Sequence, residues 1–337
     1  MAAPALTGLS PNQGPTAGGT TVTLTGTNLG DVTTVRFGTT AAAFTIVSAT
    51  QITATAPPGS AGNVQVTATS PGGTSGGLAY YYVALPTLTA VSPGQGPVTG
   101  GTAVTLTGTN LADVTTVRFG TTTAASTVVS ATQITATAPT VPGGAPGPAQ
   151  VTATSAGGTS GGLAYYYVAL PTLTAVSPGQ GPVAGGTAVT LTGTNLLNAT
   201  TVRFGATSAA FSIVSATQIN ATTPPGSTGF AQVTVITPGG TGGGAAFQYV
   251  ALPTLTSLSP NQGPPTGGTT VTLTGTNLGD VTAVRFGTTA TAFTIVSATQ
   301  ITATAPTGSA GAVQVTATSP GGTSAGLTYT RIALPGI

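Results

Sequence analysis

The chain has no cysteine, histidine, tryptophan, lysine or glutamate in its 337 residues. The lack of cysteine excludes disulfides and thiolate metal sites, and the lack of histidine removes the commonest general base and metal ligand. Without lysine there is no P-loop. Charge is almost absent: Arg36, Arg118, Arg203, Arg285 and Arg331 stand against Asp31, Asp113 and Asp280, a formal net charge of +2. Nucleic-acid binding requires clustered cations, and these arginines lie far apart in the sequence, so no nucleic-acid partner is expected. No apolar run reaches the ~18–20 residues of a membrane span, so no membrane insertion is expected. The opening MAAPALTGLS has neither a basic n-region nor a long apolar h-region. The closing ALPGI has no hydrophobic tail and no sortase pattern.

What is present is a repeat. The string TVRFG, or its variant AVRFG, recurs with its arginine at 36, 118, 203 and 285, spacings of 82, 85 and 82 residues. The extra length of the second copy lies in one loop: Ile52 to Gln65 is 13 residues, whereas Ile134 to Gln150 is 16, through TVPGGAPGPA. VALPTLT marks the boundary at 83–89, 168–174 and 250–256. The expected domains are therefore 1–84, 85–169, 170–251 and 252–337, joined with almost no linker. A period this long exceeds that of most solenoid repeats and suits a small independent domain.

Within one copy the pattern is strand after strand. Val22 and Leu24 alternate with Thr21, Thr23 and Thr25, and Val35 and Phe37 with Thr34 and Arg36. Ile52, Ala54 and Ala56 alternate with Thr53 and Thr55, and Val64, Val66 and Ala68 with Gln65, Thr67 and Thr69. This period of two, in short β-branched runs bounded by Gly and Pro, predicts about seven strands per copy and no helix. The expected fold is all-β, with each copy a sandwich whose sheets have one wet face.

The first copy carries, in order, Ser10-Pro11-Asn12-Gln13-Gly14-Pro15, Gly18-Gly19-Thr20 and Thr25-Gly26-Thr27-Asn28-Leu29. Val35-x-Phe37-Gly38, Pro57, Gly72-Gly73 and the closing Tyr80-x-Tyr82 follow, and the series recurs in all four copies. The order of these residues resembles the IPT/TIG domain. This immunoglobulin-like fold is shared by plexins and related receptors, some transcription factors and many bacterial surface proteins. The resemblance implies four tandem immunoglobulin-like sandwiches in a bacterial-looking protein. SPNQGP is expected to form a fixed turn into the first strand, and Asn28 a turn after the second.

Few residues invite a chemical reading. Gly73-Thr74-Ser75-Gly76-Gly77 fits G-x-S-x-G, as do 158–162 and 322–326, but a nucleophile elbow requires a histidine; a flexible loop is expected instead. Each copy has at most one aspartate, too few acids for Ca²⁺ unless copies share a site. No cofactor, metal or enzymatic activity is expected. Asp31/Arg36, Asp113/Arg118 and Asp280/Arg285 recur as pairs, whereas Asn198 leaves Arg203 alone. They read as an ion pair or an Arg-lined stripe, or, with less chemistry, as a turn aspartate and an outward arginine. In the aromatic run, the first position (Tyr80, Tyr165, Phe247, Tyr329) is expected in the core. The second (Tyr81, Tyr166, Gln248, Thr330) is expected to face out, and the third (Tyr82, Tyr167, Tyr249, Arg331) to lie near the domain junction. Tyr81, Tyr166, Arg36, Arg118, Arg203 and Arg285 are thus the candidate interaction residues. Ser126 replaces Phe44, Phe211 and Phe293, and the second copy also has the long loop; the second copy is expected to unfold first, and equal or greater protection of its amides in hydrogen exchange would refute this.

Short Pro-containing junctions such as Leu85-Pro86 predict a semi-rigid, elongated rod. The role expected of it is structural or adhesive: a surface stalk, a spacer or a self-assembling fibre subunit. The expected partners are further copies of itself or another surface protein, at the cell surface or outside the cell. The alternative is a glycan- or protein-binding module using loops and exposed tyrosines. An ice-binding array of Thr-x-Thr pairs, Thr23/Thr25 and Thr53/Thr55, is a third reading, testable by thermal hysteresis.

Overall fold

The computed structural model describes residues 1–333; the closing residues 334–337 lie outside it. The chain divides into two compact units, Met1–Ala169 and Leu170–Ile337, each containing two of the repeats. The first repeat shows the plan. Its strands are β1 (Ala5–Ser10), β2 (Gln13–Pro15), β3 (Thr21–Thr27), β4 (Thr34–Phe37) and β5 (Thr40–Ser48), followed by β6 (Gln51–Thr55), β7 (Gly62–Ser70), β8 (Gly73–Thr74) and β9 (Leu78–Val83). There are thus nine strands where about seven were expected, because β2 and β8 are too short to show a period. The Pro-rich segment lies between β1 and β2 rather than before the first strand, and carries a cis Ser10-Pro11 bond.

The strand order is β1-β3-β6-β5-β4-β7-β9-β2, with β8 on β7. All these pairings are antiparallel except β2 with β9, which is parallel. β5 serves both sheets: Thr40–Ala42 pair with β4, and Ala43 onward pairs with β6. One continuous path therefore folds over a single core. In the fourth repeat this strand breaks into Thr289–Thr291 and Phe293–Ser297, and the path splits into sheets of four and six strands.

The core follows from the alternation. Val22, Leu24, Val35, Phe37, Ile52 and Val66 are buried, together with Leu29 from the turn after β3. That turn depends on Asn28, whose φ of 58° is one of four positive values outside glycine among the described residues; Asn110, Asn195 and Asn277 repeat it. Asparagine tolerates this left-handed geometry better than other chiral residues. Phe37 and Tyr80 meet edge to face at 5.0 Å, and Tyr80 meets Tyr82 at 5.1 Å, a geometry worth about 0.5–1.5 kcal/mol per pair beyond area burial.

The Phe44 position is half-buried and packs on the edge of the core, as do Phe211 and Phe293, while Ser126 is exposed. The longer loop of the second repeat contains a 3-10 turn, Pro142–Gly144, and returns Val141 to that repeat's core. The second repeat therefore loses less by Ser126 than a fully buried phenylalanine would cost.

Candidate functional site

Arg36, Arg118, Arg203 and Arg285 project outward from β4 and its counterparts, between buried residues such as Val35 and Phe37. Arg36 donates from Nη1 to the Thr39 carbonyl at 2.7 Å, Arg118 to Thr121 at 3.0 Å and Arg285 to Thr288 at 2.8 Å. These bonds tie the three guanidiniums to their own β4–β5 turns rather than to the aspartates, which agrees with the reading of a turn aspartate and an outward arginine and not with an ion pair. Asp31, Asp113 and Asp280 are exposed turn residues.

The aromatic run divides as follows. Tyr80, Tyr165, Phe247 and Tyr329 are fully buried. Tyr81 and Tyr166 are 44% and 53% exposed. The third position belongs to the core rather than to a junction. Tyr82, Tyr167 and Tyr249 donate their hydroxyls to the carbonyls of Pro57, Pro139 and Pro224 at 2.6, 2.8 and 2.7 Å. Arg331 takes this place in the fourth repeat, buried, with Nη2 3.3 Å from the Pro306 carbonyl. Its Nε has no partner among the described residues. Burial raises the pKa values of Tyr82, Tyr165 and Tyr249. Burial, followed by the neighbouring Tyr165, pushes Tyr167 up to about 12.

The G-x-S-x-G stretch is a paired hairpin, not a flexible loop. β8 pairs Thr74 with Thr69 and Gly73 with Ser70. Ser75, Ser160 and Ser324 are buried and accept the backbone N–H of Ala68, Ala153 and Ala317 at 2.9, 3.0 and 3.0 Å. Each serine oxygen thus acts as a strand partner.

Register places the candidate residues on one outward face, because residues opposite each other in an antiparallel pair share a side. Tyr81 lies opposite Asn63, and Arg36 opposite Thr67, with Gln65 between Asn63 and Thr67 on β7. Four residues along the strand and two strand spacings separate ring and guanidinium, roughly 13 Å by 10 Å, so they share a face without forming one contact point. A residue the sequence reading missed lies there too: Phe230 is 77% exposed, opposite Gln248 in the third repeat. Its counterparts are Asn63, Pro148 and Ala312. The series Asn, Pro, Phe, Ala across the copies is the sequence signal that marks it.

The opposite sheet presents hydroxyls. Thr23, Thr53 and Thr45 form a cross-strand rank that Ser10 extends. Beyond Ala42 the outer side of β5 has no paired strand among the described residues. Val47, at the bulge there, is 55% exposed, and Val129, Val214 and Val296 repeat it at 56%, 54% and 56%. No group of three or more potential metal ligands is found among the described residues, and no helix there is long and apolar enough to cross a membrane.

The IPT/TIG domain family matches residues 4–82, 86–167, 171–249 and 253–330. The chain belongs to the IPT/TIG family. Among curated relatives, Plexin A3 of Danio rerio is 29% identical over 58% of this chain, a match spanning 11% of that protein's length. Among solved structures, the extracellular region of Plexin A4 aligns at 20% identity with a TM-score of 0.37, covering 90% of this chain and 34% of that one. The bacterial integrin-binding protein invasin aligns at 18% identity with a TM-score of 0.29, covering 98% of this chain and 79% of that one. With four tandem matches, the IPT/TIG repeats account for nearly all of the chain.

Proposed function

We propose that this IPT/TIG protein is a non-enzymatic structural or adhesive repeat protein of the cell surface or extracellular space, serving as a stalk, a spacer or the subunit of a self-assembling fibre. The observation that carries this reading is the β5 edge. The same unpaired, uncharged strand edge with a half-exposed valine recurs in all four repeats. Soluble β-proteins blunt such edges with charge or proline, and this one has neither residue between Ala43 and Ser48. A net charge of +2 on 337 residues adds little repulsion between chains. Copies of the chain are therefore the favoured partner.

Negative-stain electron microscopy of the full chain, with sedimentation velocity across a concentration series, tests the reading. Ordered filaments or sheets make it an assembly subunit. Separate particles at every concentration remove the fibre form and leave the spacer.

A further inference from the structure

Phe230 is the most exposed aromatic ring in the described residues, at 77%. It stands at the rim of an open cleft of about 770 Å³ in the third repeat, within the size range of small-ligand sites. Tyr249 lines the cleft, and Thr207, Ser227, Thr228 and Gln232 supply its polar groups. Gln232 lies two residues along the same strand from Phe230, and Gln248 lies opposite it. A ring is thus flanked by two amides on one face.

The arrangement recurs with the ring moved across the strand pair. In the first repeat Tyr81 faces Asn63, with Gln65 two residues along. In the second, Tyr166 faces Pro148, with Gln150 two residues along, and Pro148 lines a matching cleft of about 510 Å³. In the fourth repeat the pair is Ala312 and Thr330, and no ring is present. Three of the four repeats therefore hold one exposed ring within the same cross-strand pair, on one strand or the other, with at least one amide beside it.

We infer that Tyr81, Tyr166 and Phe230 are stacking platforms for a neutral polysaccharide. A pyranose presents an apolar C–H face and a rim of hydroxyls, which match a ring beside amides that both donate and accept. No charged side chain belongs to these ring-and-amide sets; the nearest along the face, the arginine opposite Thr67 or its counterpart, is tied to its own turn in the first and second repeats. A neutral ligand suits this better than an acidic one. One ring and two amides also offer far less than the roughly 800 Å² per partner of a stable protein interface. They do match single sugar residues, and spaced copies gain through multivalency. The inference goes beyond the scaffold reading and stands apart from it, since assembly is read by microscopy and sedimentation, and sugar retention by depletion.

The test is depletion of the full chain from solution by insoluble cellulose, chitin, xylan and cross-linked dextran, with calcium alginate as the acidic control. At least one neutral matrix is expected to remove the protein, and Tyr81→Ala/Tyr166→Ala/Phe230→Ala together to weaken retention on the order of tenfold or more. Arg203→Ala is expected to leave retention unchanged. The converse pair, Ala312→Phe with Thr330→Gln, is expected to strengthen it. Unchanged circular dichroism and melting confirm that the triple variant folds; if it does not, Phe230→Ala alone is read against the gain in the Ala312→Phe/Thr330→Gln variant. No depletion by any neutral matrix, retention by alginate alone, or equal retention of the triple variant overturns the inference.

Discussion

Equivalent positions in the four repeats differ by single atoms, and those atoms predict stability. The hydroxyls of Tyr80, Tyr165 and Tyr329 are buried with no hydrogen-bond partner among the described residues, and Phe247 fills the same place without one. A Cβ at Gly14 would collide with the Tyr80 hydroxyl and with Thr20, which is why glycine lies beneath it. Tyr80→Phe is therefore expected to leave the free energy of unfolding unchanged or raise it by up to about 1 kcal/mol. Tyr82→Phe removes the donor to Pro57 and is expected to cost about 1 kcal/mol. Arg331→Tyr should stabilise the fourth repeat by about 1 kcal/mol or more, because it replaces a buried cation whose Nε is unpaired with the donor used in the other three. Chemical denaturation of the variants measures all three. The inward and outward assignments of Tyr80 and Tyr81 were legible from copy comparison. The third position was not, because a tyrosine that caps a carbonyl from within the core and a tyrosine at a junction look alike in sequence.

The raised tyrosines also set a pH limit. Tyr167 titrates at about 12 in the fold against an ordinary value of 10.0, and Tyr82, Tyr165 and Tyr249 are shifted the same way. The folded chain holds these protons more tightly than the unfolded chain, so their contribution is complete below about pH 10 and is lost as pH rises toward about 12. Melting midpoints are expected to be flat below about pH 10 and to fall above it, and Tyr167→Phe should blunt the fall.

Among the elements, the β7–β8 hairpin shows how a side chain can complete a sheet. Ser160→Ala leaves the Ala153 N–H buried without its acceptor and should cost about 1–3 kcal/mol. The third repeat has Gly242 at this place and runs Gly240–Val250 as one continuous strand instead. Ser126→Phe should stabilise the second repeat by about 1 kcal/mol, a fraction of full burial because the ring would be half-covered. Hydrogen exchange resolved by repeat reads both changes. β3, β4, β6 and β7 were legible because their alternation survives in every copy, whereas β5 was not, since most of its residues are exposed and its burial shows no sustained period of two. The parallel β2–β9 pairing and the serine-completed hairpin were not, since three residues carry no period and a side-chain acceptor leaves no pattern.

For the whole molecule, the repeated β5 edge predicts a concentration-dependent association that charge should abolish. Replacing Val47, Val129, Val214 and Val296 with lysine should keep the chain monomeric in sedimentation velocity where the wild type associates, without changing its circular dichroism. The fourfold repeat was legible from the TVRFG spacing alone, whereas Phe230 sits in no motif and stands out only when Asn63, Pro148, Phe230 and Ala312 are aligned. The positive-φ asparagines have a further consequence. Asn110, Asn195 and Asn277 donate to the carbonyls of Leu85, Leu170 and Leu252, as Asn28 does to Ala3. Leu85-Pro86, Leu170-Pro171 and Leu252-Pro253 are thus each fastened to the repeat that follows. A single repeat excised for separate study should start upstream of its leucine, since cutting after the proline would strip the asparagine of its acceptor and yield a module that frays from its first strand.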